Sequence, residues 1–166
     1  WFEYGCFCPV MRLHGYRWPL QPQYGTTGGA TCVSGAPNEV WSYTDQVCEI
    51  LSDYLRLRER MLPYITELME EAHEKGTPVM RPLFYDFPED KESWNVETEY
   101  MFGPKVLVKP ITDADARETD VYLPGGASWT NAWTGETFEG GQKVHVAAPI
   151  EQIPLFTRDG YKLPMK

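Results

Sequence analysis

TDQVCEILSDYLRLRERMLPYITELMEEAHEK, residues 44–75, is the stretch that decides the fold. Its apolar side chains recur at steps of three and four residues, which predicts an amphipathic helix. Ser42 or Thr44 can cap the start of this helix, and Gly76 ends it. Because Pro63 lies inside the pattern, the sequence predicts a kink or a division at that point.

A short strand is expected on each side of this helix. Residues 79–85, VMRPLFY, favour a buried strand after it. Residues 1–14, WFEYGCFCPVMRLH, end a short apolar run on Arg12 and His14, which are two apart and so share one face of a strand. A strand, a helix and a second strand are typical of a β-α-β unit in a parallel sheet. The charged helix face around Arg56, Arg58, Glu59 and Arg60 is expected to be solvated or ion-paired.

From residue 100 onward the chain has a different pattern. Short apolar runs alternate there with glycine-containing turns, which is typical of an antiparallel β-sandwich. The composition shifts between residues 86 and 99, and we therefore predict one domain over residues 1–90 and a second over residues 91–166. The strands predicted for the second domain include residues 106–108, 121–123, 144–146 and 153–156.

A long segment rich in proline and glycine, residues 15–40, joins the first strand to the helix. Its proline and glycine content predicts no regular element. This segment and its end carry side chains suited to recognition: Arg17, Trp18, Tyr24 and Trp41. Two alternatives stay open, because a loop of this length is either functional or a surface flap.

Composition and charge argue against several classes of protein. Of the 166 residues, 42% are hydrophobic and 23% are charged, which is ordinary for a globular protein and excludes wholesale disorder. The net charge of −9, without a basic stripe, argues against a nucleic-acid partner. No apolar run approaches the ~18 residues that span a bilayer, so no membrane partner is expected. The chain begins at Trp1, as an excised or processed piece does.

Four cysteines bear on the compartment and on metal binding: Cys6, Cys8, Cys32 and Cys48. Cys6 and Cys8 have a C-x-C spacing, but no second Cys or His pair follows at the spacing of a zinc site. We therefore expect free, buried thiols, a cytoplasmic protein, no metal and no other cofactor.

Arg12 and His14 are the candidate binding residues. A fixed cation beside a hydrogen-bonding imidazole suits a polar, partly anionic target. The spacing alone favours the plainer alternative, in which Arg12 forms an ion pair and His14 caps a loop.

Four segments, in order, resemble one family. WFEYGCFCPVMRLHG (1–15) is similar to the W-[FM]-x-x-G-x-[FL]-x-P-x-x-R-x-H signature of glycoside hydrolase family 31. LRLRERMLPYITELMEEAHEKGTPVMRPLFYDFP (55–88) resembles that family's helix and the strand after it. EYMFGPKVLVKPI (99–111) is similar to a later strand of the family, and residues 121–160 to its proximal C-terminal β-domain. The resemblance covers essentially the whole chain.

The resemblance implies an α/β fold followed by an all-β one: the last portion of a (β/α)8 TIM barrel and then an antiparallel β-sandwich domain. The strand with Arg12 and His14 would be the seventh of the barrel, and residues 79–85 the eighth. The implied activity is that of a retaining glycoside hydrolase, an α-glucosidase or α-xylosidase. Such an enzyme removes terminal α-linked glucose or xylose from an oligosaccharide substrate with two carboxylates.

The resemblance also implies roles for individual residues. The family's nucleophile and acid/base lie on earlier barrel strands, so they are expected upstream of Trp1, and this chain alone is expected to be inactive. His14 matches the family histidine that hydrogen-bonds hydroxyls of the bound sugar, and Arg12 matches the arginine beside the carboxylates. No cofactor is implied, and an oligomer is compatible with the pattern. Three other acidic residues are expected to be structural or solvated: Asp86, Asp90 and Asp113.

An alternative from another class is a non-catalytic carbohydrate-binding or scaffolding module formed by the sandwich. Trp129 and Trp133 lie on or near its predicted strands and offer indole faces on which sugars stack. Core packing explains both residues at least as well. The segment HGYRWP, residues 14–19, is closer to α-xylosidases than to α-glucosidases, which leaves the sugar open between xylose and glucose.

Overall fold

The computed structural model describes residues 1–13 and 17–165. In chain order its α-helices are α1 (Phe2–Cys6), α2 (Asp45–Arg60), α3 (Leu62–Lys75) and α4 (Leu83–Asp86). Short 3₁₀ helices lie at Gly28–Thr31, Val40–Ser42 and Lys91–Trp94. The strands are β1 (Met80–Arg81), β2 (Tyr100–Phe102), β3 (Val106–Val108), β4 (Glu118–Leu123), β5 (Ser128–Asn131), β6 (Thr137–Glu139), β7 (Gln142–Ala147) and β8 (Leu155–Arg158). Within the described ranges, no helix has both the length and the apolar character needed to cross a bilayer.

The long amphipathic pattern forms two helices, α2 and α3, so the division predicted from Pro63 is confirmed. The helices meet at Met61, and Pro63 falls in the first turn of α3, where its missing N–H costs no hydrogen bond. The Thr44 hydroxyl caps α2 by accepting the N–H of Val47 at 3.3 Å. Gly76 ends α3 in the left-handed conformation, with a φ of 71°.

Strands β1–β8 form two antiparallel sheets. The larger sheet has the order β1-β2-β3-β8-β5-β6, and the smaller one pairs β4 with β7. Leu123, Trp129 and Phe156 are fully buried in the core that the two sheets share. The prediction of an antiparallel sandwich in the C-terminal part of the chain is therefore confirmed.

The larger sheet is buried on both of its faces. Along β3, Leu107 packs in the core shared with the smaller sheet, whereas Val106 and Val108 pack in the core formed with α2 and α3. Met101 and Phe102 on β2 divide between the same two cores. Successive side chains of a strand point to opposite faces, so a sheet covered on both sides needs continuous apolar runs. The result is three layers: helices, larger sheet and smaller sheet.

Two strand predictions are wrong. Within residues 79–85 only the two-residue strand β1 forms, and the chain turns at Pro82 into α4. Strand β1 pairs antiparallel with β2, and no parallel pair occurs among residues 1–13 and 17–165, so the expected β-α-β unit is not observed. Residues 9–13 form no strand. A strand needs a neighbour that takes up its backbone hydrogen bonds, and Pro82 has no N–H to offer one.

Candidate functional site

The structure places one of the two predicted binding residues. Arg12 is exposed, at the end of the irregular segment formed by residues 9–13. His14 lies outside the described residues, so its position relative to Arg12 stays a prediction. What the structure does describe is how this segment is held.

Arg58 of α2 anchors the segment that leads to Arg12. Its guanidinium donates hydrogen bonds to the carbonyl oxygens of Cys6 at 2.7 Å, of Cys8 at 2.8 Å and of Pro9 at 3.0 Å. Carbonyls at a helix C-terminus lack partners within the helix, and a cation is favoured there. The prediction of a solvated or ion-paired face is therefore wrong for Arg58, although it is confirmed for Arg56, which is exposed and pairs with Asp53.

A second anchor comes from the larger sheet. The hydroxyl of Tyr100 on β2 donates to the Phe7 carbonyl at 2.9 Å. The Phe7 ring is fully buried and lies nearly perpendicular to the Phe102 ring, with 6.3 Å between the ring centroids. The sulfur of Met11 lies 3.6 Å from that of Cys6. The turn before Arg12 is thus tied to α2 on one side and to β2 on the other.

The loop after the undescribed residues is ordered by its own hydrogen bonds. The backbones of Gln21 and Ser34 exchange two hydrogen bonds, at 2.7 and 3.1 Å. The Ala36 N–H donates to the Arg17 carbonyl at 2.7 Å, and the Arg17 guanidinium donates to the Pro37 carbonyl. The prediction of no regular element is wrong in detail, because an antiparallel bridge and two 3₁₀ helices form within or directly after the loop.

This loop and its exit enclose a groove of about 720 Å³. Tyr24 and Trp41 line it with side chains that are 80% and 73% exposed. Glu39 and Ser42 also line it, and the Ser42 hydroxyl donates to the Glu39 carboxylate at 3.2 Å. The groove therefore combines exposed aromatic faces with hydrogen-bonding groups.

Two family models match the chain in order. Residues 1–68 match the glycosyl hydrolases family 31 TIM-barrel domain, and residues 76–163 match the glycosyl hydrolase family 31 C-terminal domain. The chain belongs to glycosyl hydrolase family 31. The family expected from the four sequence segments is confirmed.

Similar proteins fit this family. An α-xylosidase of Saccharolobus solfataricus is 36% identical over 99% of this chain, and α-glucosidase 2 of Bacillus thermoamyloliquefaciens is 35% identical over 96%. The chain spans 20% and 18% of the lengths of these relatives. A crystal structure of a family 31 α-xylosidase from a soil metagenome, complexed with xylose, matches 98% of this chain and 24% of its own with a TM-score of 0.91 and 45% identity.

Asp86 and Asp90 each contact a neighbouring part of the chain. Asp86 lies 3.1 Å from the guanidinium of Arg81, and burial raises the pKa of Asp86 more than Arg81 lowers it. Asp90 accepts hydrogen bonds from the Tyr122 hydroxyl and the Gly125 N–H, each at 2.7 Å. Burial alone would raise the pKa of Asp90, but these hydrogen bonds lower it. Both carboxylates already have structural partners.

Asp113 has a different setting. It is exposed, and it lies in the stretch between β3 and β4. Its exposure to solvent agrees with the expectation that Asp113 is structural or solvated.

The two tryptophans that suggested a binding module differ in burial: Trp129 lies in the core, and Trp133 is half-buried. Trp129 is fully buried, and its indole N–H donates to the Pro124 carbonyl at 2.9 Å. The indole N–H of half-buried Trp133 donates to the Ile153 carbonyl at 2.7 Å. A fully buried ring cannot stack on a sugar, so Trp129 gives the binding-module hypothesis no support.

The four cysteines are free, as predicted, but the prediction that they are buried is wrong for all except Cys6. Of the four, Cys6 is the buried one, whereas Cys32 is exposed. Burial raises the pKa of the Cys6 thiol to about 12 and raises that of Cys8 as well. Both thiols are therefore protonated at neutral pH and poor nucleophiles. Among residues 1–13 and 17–165, no three His, Cys, Asp or Glu side chains form a group suited to a metal ion.

Glu3 is an ionisable residue that the sequence analysis missed. It lies on the short helix α1, where burial raises the pKa of its carboxyl group to about 7, although a hydrogen bond with Tyr54 lowers it in part. The Tyr54 hydroxyl oxygen also accepts the Ile153 N–H at 2.9 Å and lies 3.2 Å from the Glu151 carbonyl oxygen. An acidic residue among apolar ones, as in WFEYGC, is the only sequence signal for this burial.

Proposed function

We propose that this chain is part of a retaining α-glycosidase that removes terminal α-linked xylose or glucose from oligosaccharides. The observation that carries the proposal is the ordered match to the barrel and C-terminal domains of family 31. Relatives named α-xylosidase and α-glucosidase, which match nearly the whole chain, support both sugars. The division into residues 1–90 and 91–166 stays a prediction within this proposal.

In this proposal Arg12 and His14 bind the sugar whose bond is broken. The imidazole of His14 hydrogen-bonds sugar hydroxyls, and these bonds strengthen as the ring flattens toward an oxocarbenium-like transition state. The permanent cation of Arg12 lowers the pKa of a neighbouring carboxylic acid and so keeps the nucleophile ionised. The hydrogen bonds from Arg58 support the proposal, because they fix the backbone that leads to Arg12.

The two catalytic carboxylates are proposed to come from a part of the enzyme N-terminal to Trp1. One attacks the anomeric carbon, and the other protonates the leaving oxygen and then activates water. The structural partners of Asp86 and Asp90 support this division of labour. We therefore expect the purified chain by itself to hydrolyse no aryl α-glycoside.

The proposal is tested in the full enzyme with His14→Ala. On aryl α-xylosides and aryl α-glucosides, kcat/KM should fall about 100-fold, because a hydrogen bond that strengthens in the transition state is lost. The control is His73→Ala, a histidine exposed on α3, which should stay within about twofold of the wild type. An unchanged kcat/KM for His14→Ala would remove the sugar-binding role.

The stereochemistry is tested separately. Proton NMR of the first turnovers should show the α-anomer of the released sugar before mutarotation, because two displacements retain the configuration. The β-anomer as first product would contradict the retaining mechanism.

A further inference from the structure

The groove of the loop after His14 has no part in the function proposed so far. Trp41 and Tyr24 line it, and their side chains are 73% and 80% exposed. Large aromatic side chains gain most from burial, so two of them exposed around one groove point to a ligand. A flat ring with an apolar face suits the C–H face of a pyranose, whose hydroxyls project from its edge.

The polar groups in the groove suit a neutral polyol. The Glu39 carboxylate accepts hydrogen bonds, the Gln21 amide both donates and accepts, and the Ser42 hydroxyl does both. A few such groups beside aromatic faces are the usual composition of a small-molecule site. Arg17 is already engaged, because its guanidinium donates to the Pro37 carbonyl and lies 4.5 Å from the centroid of the Tyr43 ring. The Arg17 guanidinium thus stabilises the loop through these two contacts.

The groove is built in advance of any ligand. The paired backbones of Gln21 and Ser34 and the bond from Ala36 to Arg17 hold its walls together. The Thr44 cap of α2 fixes the point at which the loop ends. A site whose groups are already ordered loses less entropy on binding than a mobile loop does.

The groove lies close along the chain to Arg12. Arg17 lines it and follows Arg12 by five residues, so their Cα atoms are at most about 18 Å apart. An enzyme that removes a terminal sugar holds that sugar at the reacting centre, and the rest of the substrate extends away on the leaving-group side. We propose that the groove binds leaving-group sugar units of an oligosaccharide, so that this loop selects oligosaccharides over small glycosides. This inference rests on the glycosidase function proposed above.

The test compares two substrates in the full enzyme. An α-linked tetrasaccharide can fill the groove, whereas an α-glycosyl fluoride of the same terminal sugar cannot, because fluoride is its entire leaving group. The measured quantity is the ratio of kcat/KM for the tetrasaccharide to kcat/KM for the fluoride. In Trp41→Ala this ratio should fall about 10-fold, through a higher KM for the tetrasaccharide.

Two further variants separate this effect from misfolding. Glu39→Gln keeps the shape of the side chain but replaces a charged acceptor with a neutral one, and the ratio should fall about fivefold. Trp94→Ala removes an indole that is 58% exposed, outside the groove, and should leave the ratio unchanged.

The outcomes distinguish the two proposals. Suppose that the wild-type enzyme cleaves the fluoride, and that Trp41→Ala and Glu39→Gln both keep the wild-type ratio of kcat/KM values. This result contradicts the groove inference and leaves the glycosidase function standing. Equal losses on the two substrates also contradict the groove inference, since the groove would then serve no leaving group. A wild-type enzyme that cleaves neither substrate contradicts the glycosidase function, and the groove inference with it.

Discussion

Replacing Arg58 with alanine should lower the free energy of unfolding by about 3 kcal/mol. The guanidinium donates three hydrogen bonds, of 2.7 to 3.0 Å, to the carbonyls of Cys6, Cys8 and Pro9. A hydrogen bond from a charged donor contributes about 1.5–3 kcal/mol. Because Arg58 is only half-buried, water can hydrogen-bond to some of the carbonyls in the variant. The expected loss of unfolding free energy is therefore well below the sum of three separate hydrogen bonds. Urea unfolding followed by circular dichroism measures the change.

Arg56→Ala is the matched control on the same helix. Its guanidinium pairs with Asp53 at 2.7 Å, but the two side chains are 66% and 67% exposed, so the loss should be about 0.5 kcal/mol or less. Arg58→Lys keeps the charge but not the planar set of donors, and it should lose about 2 kcal/mol. Equal losses for Arg58→Ala and Arg56→Ala would refute the view that Arg58 anchors the segment leading to Arg12.

Two further predictions concern stability. Burial raises the pKa of Glu3 from 4.5 to about 7, so the wild type should lose stability as the pH rises through this range. Glu3→Gln should remove the part of that dependence that Glu3 contributes, and the variant should be about 2 kcal/mol more stable than the wild type at pH 8 in urea titrations, after discounting for partial exposure. Gly103→Ala should lower the free energy of unfolding by about 3 kcal/mol in the same assay. The φ of Gly103 is +60°, and a Cβ at this position would lie 2.5 Å from the Leu68 side chain. Gly126→Ala, at φ +86° with no atom within 4 Å, should cost only about 1 kcal/mol.

The features that the sequence predicted correctly depend on local chemistry. The division of the helical pattern at Pro63 and the cap at Thr44 follow from the backbone of those residues themselves. The antiparallel strands follow from apolar runs set between turns. The family followed from motif order rather than from any single residue.

The features that the sequence did not predict depend on contacts between distant residues. Arg58 lies about fifty residues from the carbonyls that it binds, and an arginine on a charged helix face shows no sign of such partners. The residue types of 79–85 fit a strand, but the pairing with β2 and the turn at Pro82 limit it to two residues. The raised pKa of Glu3 likewise arises from burial that only the folded chain creates.

The central claim is that the stretch ending in Arg12 and His14 touches the sugar at the bond being cleaved. The most direct measurement is a crystal structure of the full enzyme with xylose or glucose bound. The account predicts an imidazole nitrogen of His14 within about 3.2 Å of a sugar hydroxyl, with the Arg12 guanidinium in the same cavity. A sugar bound at the catalytic carboxylates with both side chains remote from it, packed beneath the sandwich, would contradict the account.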